Sequence, residues 1–216
     1  KLPIFEFNAN THDVERALEN AYGTAVCERL SEIFPIVCSA NSLQVDGHND
    51  NAWNQGLVFM DNDSAWMQPP GYVTGMFYDA YQPNLVEARL TPWDQNLSVT
   101  ATASDDGKTV VLKFVNQNKS SKNVQVDLGE FTGNQNSGTV RVLKGAAKAV
   151  NTADNKQAVV PTSQTLENPV QNGKMTIKLD AYSLTVLELT AQSDPEPPVS
   201  SEEQSSSEPG SESDGT

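Results

Sequence analysis

A hairpin at Asp105–Asn116, DDGKTVVLKFVN, decides the fold class of the second half of this 216-residue chain. The pair Asp106-Gly107 suits a tight β-turn because both residues accept positive φ at low cost. The apolar run that follows has period two, so residues 110, 112 and 114 lie on one face of a strand and residues 111, 113 and 115 on the other. This pattern predicts a strand with one strongly buried face.

Further strands surround this hairpin. Short β-rich runs, separated by turn-forming Gly and Asn residues, occur at Leu97–Ala103, Thr109–Asn116, Asn123–Leu128, Thr139–Leu143, Lys174–Leu179 and Ser183–Leu189. Several strands without a helical stretch between them are typical of a β-sandwich. We therefore predict an all-β domain, a β-sandwich, at residues 84–191.

Strands alternate with helices before this domain. The pattern predicts a strand at Leu2–Phe7, a helix at Thr11–Leu30 with Thr11 or Asp13 as its N-cap, and a second strand at Ile33–Ala40. A long polar loop then leads to a helix that begins at the Pro69-Pro70 pair and runs to about Tyr81. This order is typical of a parallel α/β sheet or barrel, in which polar residues at the strand ends build the site. We assign it to residues 1–83.

The last 25 residues differ in composition from both parts. Residues 192–216 carry seven acidic residues and no Lys or Arg, and they include many Pro, Ser and Glu residues. A segment with so few apolar side chains cannot offset the entropy of ordering, so it is predicted to be a disordered linker. Such linkers are common in secreted polysaccharide-degrading proteins, and we expect an extracellular or cell-surface location.

Composition excludes several kinds of partner and structure. The net charge of −14 argues against nucleic acid, and no apolar run reaches the roughly 20 residues that a membrane-spanning helix needs. The two cysteines, Cys27 and Cys38, are too few for a disulfide scaffold and are expected to be buried and unpaired. The oligomeric state stays open, a homo-oligomer included.

Three motifs resemble one known family. The stretches FEFNANTH (Phe5–His12), SLQVDGHNDNAWNQGLVFM (Ser42–Met60) and AWMQPPGYVTGMF (Ala65–Phe77), followed by a β-sandwich, resemble the C-terminal portion of family 51 glycoside hydrolases, the α-L-arabinofuranosidases. The resemblance implies that the first 83 residues are the last two β/α units of a (β/α)8 barrel. The apolar runs Leu2–Phe7 and Ile33–Ala40 would then be barrel strands seven and eight.

The resemblance gives Glu6 a role as the catalytic nucleophile. In the family, a Glu followed by an aromatic residue at the end of the seventh strand attacks the sugar, and Glu6-Phe7 matches that motif. A retaining glycosidase needs two carboxyl groups about 5 Å apart, one attacking and one protonating the leaving oxygen. Asn8, Asn10 and His12 are candidate hydrogen-bond donors near the nucleophile. Without the resemblance, a single Glu in a strand is more often a solvated or salt-bridged residue.

The second carboxyl group is expected upstream of this chain. In the family the acid/base Glu follows an Asn at the end of the fourth strand, and only five residues precede Glu6. We therefore expect a fragment of an exo-acting enzyme that releases terminal arabinofuranose from an arabinose-containing polysaccharide or oligosaccharide. The chain alone is predicted to be inactive and to need the missing N-terminal part of the same protein.

The polar loop before Gly56 supplies candidate sugar contacts. Amides satisfy hydroxyl groups and an aromatic face covers the C–H patches of a sugar ring. By the resemblance, Gln55 hydrogen-bonds the bound arabinofuranosyl unit, and Asn54 and Trp53 line the pocket; for Trp53, closing the barrel mouth is an equal alternative. His48 and Asn49 are expected to stabilise the loop.

The sequence predicts structural roles for two further aromatic residues and argues against a metal site. We expect Trp66 and Tyr72 to lie in the core. Two histidines without ligand spacing argue against a metal, and the sequence contains neither a phosphate-binding glycine loop nor a serine elbow, so we predict no metal and no cofactor.

Two alternative functions place the activity outside a catalytic site. The sandwich could be a non-catalytic carbohydrate-binding module, although it holds only four aromatic residues, Trp93, Phe114, Phe131 and Tyr182, and the first two are expected in a core or a domain interface. It could also be a structural domain that buttresses the barrel while the tail tethers a further module.

Overall fold

The structure is a computed structural model that describes residues 1–48, 53–129 and 136–191. The predicted linker at 192–216, Asn49 and Phe131 lie outside the described residues. The two helices are α1 (Val14–Arg29) and α2 (Pro69–Asp79). The strands are β1 (Ile4–Phe7), β2 (Val37–Ser39), β3 (Leu43–Val45), β4 (Val58–Met60), β5 (Ala65–Met67), β6 (Asn84–Val86), β7 (Leu97–Ala103), β8 (Thr109–Asn116), β9 (Lys122–Asp127), β10 (Asn136–Lys144), β11 (Thr162–Glu167), β12 (Lys174–Leu179) and β13 (Ser183–Ala191).

The predicted β-sandwich is confirmed. A six-stranded antiparallel sheet has the order β11-β10-β13-β8-β7-β6, and a two-stranded sheet, β12-β9, covers one of its faces. The hairpin β7–β8 turns at Gly107, where φ is +69°. The side chains between the two sheets form one apolar core that includes Leu112, Phe114, Ile177 and Leu187.

The helices cover the opposite face of the six-stranded sheet. Side chains from α1 and α2, such as Leu18 and Met76, share a second core with Val111 and Val115 of β8. Strand β8 is therefore buried on both faces, and the expectation of one strongly buried face was wrong. Even Lys113 is fully buried there, because the helices occupy the space that would otherwise be solvent.

The first part contains a parallel β-α-β unit. Strand β1 pairs in parallel with β2, and α1 connects them. Asp13 is the N-cap of α1, since its side chain accepts a hydrogen bond from the Arg16 backbone N–H. Helix α2 begins at Pro69, as predicted, because a helix does not need that residue's missing N–H at its first position. The assignment of this unit to a (β/α)8 barrel, and the domain boundaries, stay predictions.

Some strands differ from the sequence pattern. The apolar run Ile33–Ala40 forms a strand only at Val37–Ser39. Strand β11, TSQTLE, was missed because it is an exposed edge strand with no buried face to impose an apolar alternation. A small sheet, β3-β4-β5, lies within the segment predicted as a polar loop.

A loop of the sandwich, residues 145–161, reaches the helices. The carbonyls of Ala147 and Ala149 accept hydrogen bonds from the first free N–H groups of α1, at 2.8 and 3.1 Å. Asn151 and Gln68 form a reciprocal pair, in which the Gln68 side-chain amide donates to the Asn151 carbonyl (2.7 Å) and accepts from its N–H (3.0 Å). Because these groups are buried, the loop fixes both helix N-termini against the sandwich.

Candidate active site

Glu6 lies at the C-terminal end of β1 with an exposed side chain. The Asn8 side-chain amide donates a hydrogen bond to its carboxylate, with 3.0 Å between Nδ2 and Oε1. The ring of the neighbouring Phe7 packs against Gly23 of α1. Phe7 is therefore half-buried, whereas Glu6 stays exposed.

The loop after β1 contacts the segment that holds the predicted sugar-binding residues. The Asn54 backbone N–H donates to Asn10 Oδ1 (3.0 Å), and His12 Nδ1 donates to the Asn54 carbonyl (3.2 Å). Burial lowers the pKa of His12 below its usual value of 6.5, so this imidazole is neutral at neutral pH. The loop after β1 and the segment with Asn54 therefore form one polar cluster, and this loop continues directly from the strand end that holds Glu6.

Gln44 organises that segment and was missed by the sequence reasoning. Its Nε2 donates to Asn54 Oδ1 (2.8 Å), while its Oε1 accepts from the N–H groups of Gln55 (3.0 Å) and Gly56 (2.8 Å). Gly56 is required at this contact, since a Cβ there would lie 2.5 Å from the Gln44 Cβ. A glutamine in a polar loop carries no sequence signal for such a role.

The three predicted sugar contacts differ in accessibility. Trp53 is 52% exposed, Asn54 is half-buried, and Gln55 is 2% exposed. The Gln55 amide donates to Asn41 Oδ1 over 3.3 Å, so it braces the loop after β2. Their contact with sugar stays a prediction.

Arg16 forms hydrogen bonds with three loops of the cluster. Its guanidinium is fully buried and donates to three backbone carbonyls, those of Thr11 (2.6 Å), Ala40 (2.9 Å) and Gln55. Burial lowers the pKa of Arg16 to about 10, so the group stays charged at neutral pH. Sequence patterns gave no indication of this residue, because an Arg in the first turn of a helix is usually solvated.

The other predicted residues have mixed outcomes. Trp66 is buried and Tyr72 packs against the helix core, as expected, whereas His48 is exposed. Both cysteines are free, but only Cys27 is buried; the expectation for Cys38 was wrong. Trp93 is not in the core but 78% exposed.

The described residues can also be compared with what a metal site, a membrane span and a ligand groove would require. Among the described residues, no three His, Cys, Asp or Glu side chains are grouped as a metal site would require. Neither described helix has the length and apolarity to span a bilayer. A groove of about 900 Å³, lined in part by Cys27, Phe34 and Phe77, lies at the C-terminal end of α1, whereas the polar cluster lies at its N-terminal end.

The fold is thus a β-sandwich packed on a parallel β-α-β unit, with a carboxylate and a polar cluster at the strand ends. The family model of the α-L-arabinofuranosidase C-terminal domain matches residues 5–183. The chain therefore belongs to this family. No curated protein sequence gives a significant match.

Solved structures support the same fold. The arabinose-bound MgGH51 α-L-arabinofuranosidase has a TM-score of 0.74 at 23% identity, over 85% of this chain and 28% of that one. The Thermotoga maritima α-L-arabinofuranosidase in its arabinose complex has 0.71 at 19%, over 85% and 42%. The thermostable GH51 enzyme of Thermotoga petrophila RKU-1 has 0.71 at 18%, over 87% and 43%. The chain spans less than half of each of these proteins.

Proposed function

We propose that this chain is the C-terminal part of a retaining, exo-acting α-L-arabinofuranosidase, with Glu6 as its nucleophile. The observation that carries the proposal is the position of Glu6, exposed at the C-terminal end of a parallel strand and beside a polar loop cluster. In α/β barrels, active sites are built at that end of the strands. Membership of the arabinofuranosidase C-terminal family supports the reaction class.

The chemistry assigns Glu6 the attacking role. In a retaining mechanism, an ionised carboxylate attacks the anomeric carbon and forms a glycosyl-enzyme, which water then hydrolyses. The hydrogen bond from Asn8 holds one carboxylate oxygen of Glu6, which leaves the second oxygen for attack. The acid/base carboxyl group is supplied by upstream polypeptide in this proposal.

Exposed apolar side chains around β1 and β2 support the presence of further polypeptide. Leu2, Phe5, Ile36 and Leu43 are each about half to three-quarters exposed, although they belong to or flank strands. Parallel sheets are normally covered on both faces, and a two-stranded parallel sheet leaves most of its surface bare. The remaining barrel strands and helices would cover these side chains.

The polar cluster fits a furanose with several hydroxyl groups. Trp53 offers an exposed aromatic face, and Asn10 and Asn54 offer amide groups beside it. Arabinose is present in two of the similar solved structures, which supports an arabinose-containing polysaccharide or oligosaccharide as substrate. Such a polymer also supports a location outside the cell or on its surface.

The test uses the full-length protein that contains this chain. We expect it to hydrolyse an aryl α-L-arabinofuranoside, and Glu6→Ala to reduce kcat by several orders of magnitude. Added azide should restore turnover of Glu6→Ala and yield an arabinosyl azide, because a small anion can replace the missing nucleophile. Glu32→Gln, an exposed carboxylate at the other end of α1, is the matched control. Full activity in Glu6→Ala would refute the assignment.

The sandwich acts as a buttress in this proposal. Its 145–161 loop holds the N-termini of both helices, and its main sheet provides one side of the helix core. One observation favours an added sugar-binding role, namely the exposed Trp93. If Trp93→Ala in the full-length protein weakens retention on insoluble arabinoxylan without changing hydrolysis of the aryl substrate, the sandwich also binds polymer; unchanged retention leaves only the buttress.

A further inference from the structure

The guanidinium of Arg16 connects three segments that are distant in sequence. Thr11 lies in the loop after β1, Ala40 in the loop after β2, and Gln55 in the segment before β4. Each segment also holds a polar side chain of the candidate site, namely Asn10, Asn41 and Gln55 itself. One side chain thus sets the spacing of all three.

The planar fork of an arginine suits this task. Its N–H groups point in fixed directions, so three carbonyls that accept from one guanidinium are held in a defined relative geometry. A lysine has a single ammonium group on a flexible stem and cannot hold three separated acceptors in the same way. The site gains rigidity from the number of acceptors and from the shape of the donor.

Burial lowers the pKa of Arg16, and Asp13 and Glu19 raise it through space, but the direct contacts of the guanidinium are with backbone carbonyls. Among the described residues, no carboxylate lies within ion-pairing distance of the guanidinium, and Asp13 uses an oxygen to cap the Arg16 backbone N–H instead. A buried charge is costly, and an apolar side chain would usually serve stability as well or better. The retained cation is therefore explained by the carbonyls that it holds.

We propose that Arg16 is a positioning residue that holds the three loops of the arabinofuranosyl site in register. This inference rests on the proposed function, because the proposed function defines the sugar that the three loops would bind. Arg16 acts through Asn10, Asn41 and the Gln55 segment, and it does not itself contact sugar. A displacement of about 1 Å at such groups can reduce the rate about a hundredfold.

The chain offers a matched control on the same helix. Arg29, at the other end of α1, is also partly buried and donates to Ser98, Val99 and Thr100 of β7, far along the helix from the polar cluster. Replacing Arg29 should weaken the packing of α1 on the sandwich. It should leave the three loops unchanged.

The experiment compares Arg16→Met and Arg16→Lys with Arg29→Met in the full-length protein, well below each Tm. We expect Arg16→Met to reduce kcat/KM for an aryl arabinofuranoside about tenfold to a hundredfold, and Arg16→Lys to recover part of that loss. Arg29→Met should lower Tm but keep kcat/KM within about twofold. If Arg16→Met does not fold, Arg16→Lys alone is compared with Arg29→Met.

A second readout separates the failure of this inference from the failure of the proposed function. Hydrogen exchange of peptides covering residues 39–45 and 53–58 should be faster in the Arg16 variants and unchanged in Arg29→Met. Unchanged kcat/KM in Arg16→Met overturns the inference while the wild type remains an arabinofuranosidase. If the wild type has no activity, the proposed function fails, and unchanged exchange would then also overturn the role of Arg16 in holding the loops.

Discussion

Replacing Lys113 by Met should separate the stabilising role of a buried ion pair from that of simple packing. Lys113 on β8 is fully buried, its ammonium lies 2.5 Å from a Glu28 carboxylate oxygen on α1, and it lies 5.4 Å from the Phe77 ring centre on α2. It therefore ties both helices to the main sheet. Lys113→Met keeps most of the side-chain volume but leaves Glu28 without its cation.

The expected magnitude follows from the burial of the two partners. Removing one member of a buried pair costs about 3–5 kcal/mol, and the Glu28 side chain is 19% exposed, which favours the lower value of about 3 kcal/mol. The double variant Lys113→Met with Glu28→Leu removes both charges and should lie within about 1 kcal/mol of the wild type. Equilibrium unfolding in urea, followed by tryptophan fluorescence, measures each value.

The exposed pair between Arg89 and Glu87 provides the control. Its side chains are 80% and 75% exposed, so Arg89→Met should cost less than about 1 kcal/mol. The reasoning is refuted if Lys113→Met costs no more than Arg89→Met. It is also refuted if the double variant is as unstable as the sum of the two single variants, because the coupling between Lys113 and Glu28 would then be absent.

Two smaller changes test the surroundings of the candidate site. Gly23→Ala should lower stability and, in the full-length protein, the proposed arabinofuranosidase activity, because a Cβ there would lie 2.2 Å from the Phe7 ring. Gly75→Ala on α2 meets open space and should stabilise by about 0.5–1 kcal/mol. Thermal unfolding and aryl-substrate kinetics of the full-length protein measure both changes. Burial lowers the pKa of His12, so the unfolded state binds more protons than the folded state as pH falls below about 6.5, and stability should be lost there. Urea unfolding at pH 7.5 and pH 5.5 measures this loss. The free energy of unfolding should fall less between the two pH values in His12→Gln than in His48→Gln, and equal decreases would contradict the role of His12.

Sequence patterns predicted the elements whose burial is simple. The strand at Thr109–Asn116 and the cap at Asp13 were confirmed, because alternation and capping chemistry act over a few residues. The second buried face of β8 was not foreseen, since it depends on two helices from earlier parts of the chain. Edge strand β11 carried no apolar pattern at all.

The candidate site was predictable only in part. The nucleophile role of Glu6 was predicted only through a resemblance, because a single carboxylate in an apolar run is more often solvated or salt-bridged. Gln44 and Arg16 act through backbone groups of distant loops, and hydrogen bonds to backbone leave no trace in residue spacing. Such supporting residues become visible only when the loops are placed in space.

The core that α1 and α2 share with the main sheet limits how this protein can be recombined. A crossover near residue 83 that exchanged the sandwich for a relative's would have to match the apolar surface beneath both helices, as well as the Asn151–Gln68 amide pair. Chimeras should therefore tolerate exchange only when the helices and the sheet come from the same parent. The two helices and the sandwich should therefore be exchanged together, because they share one core.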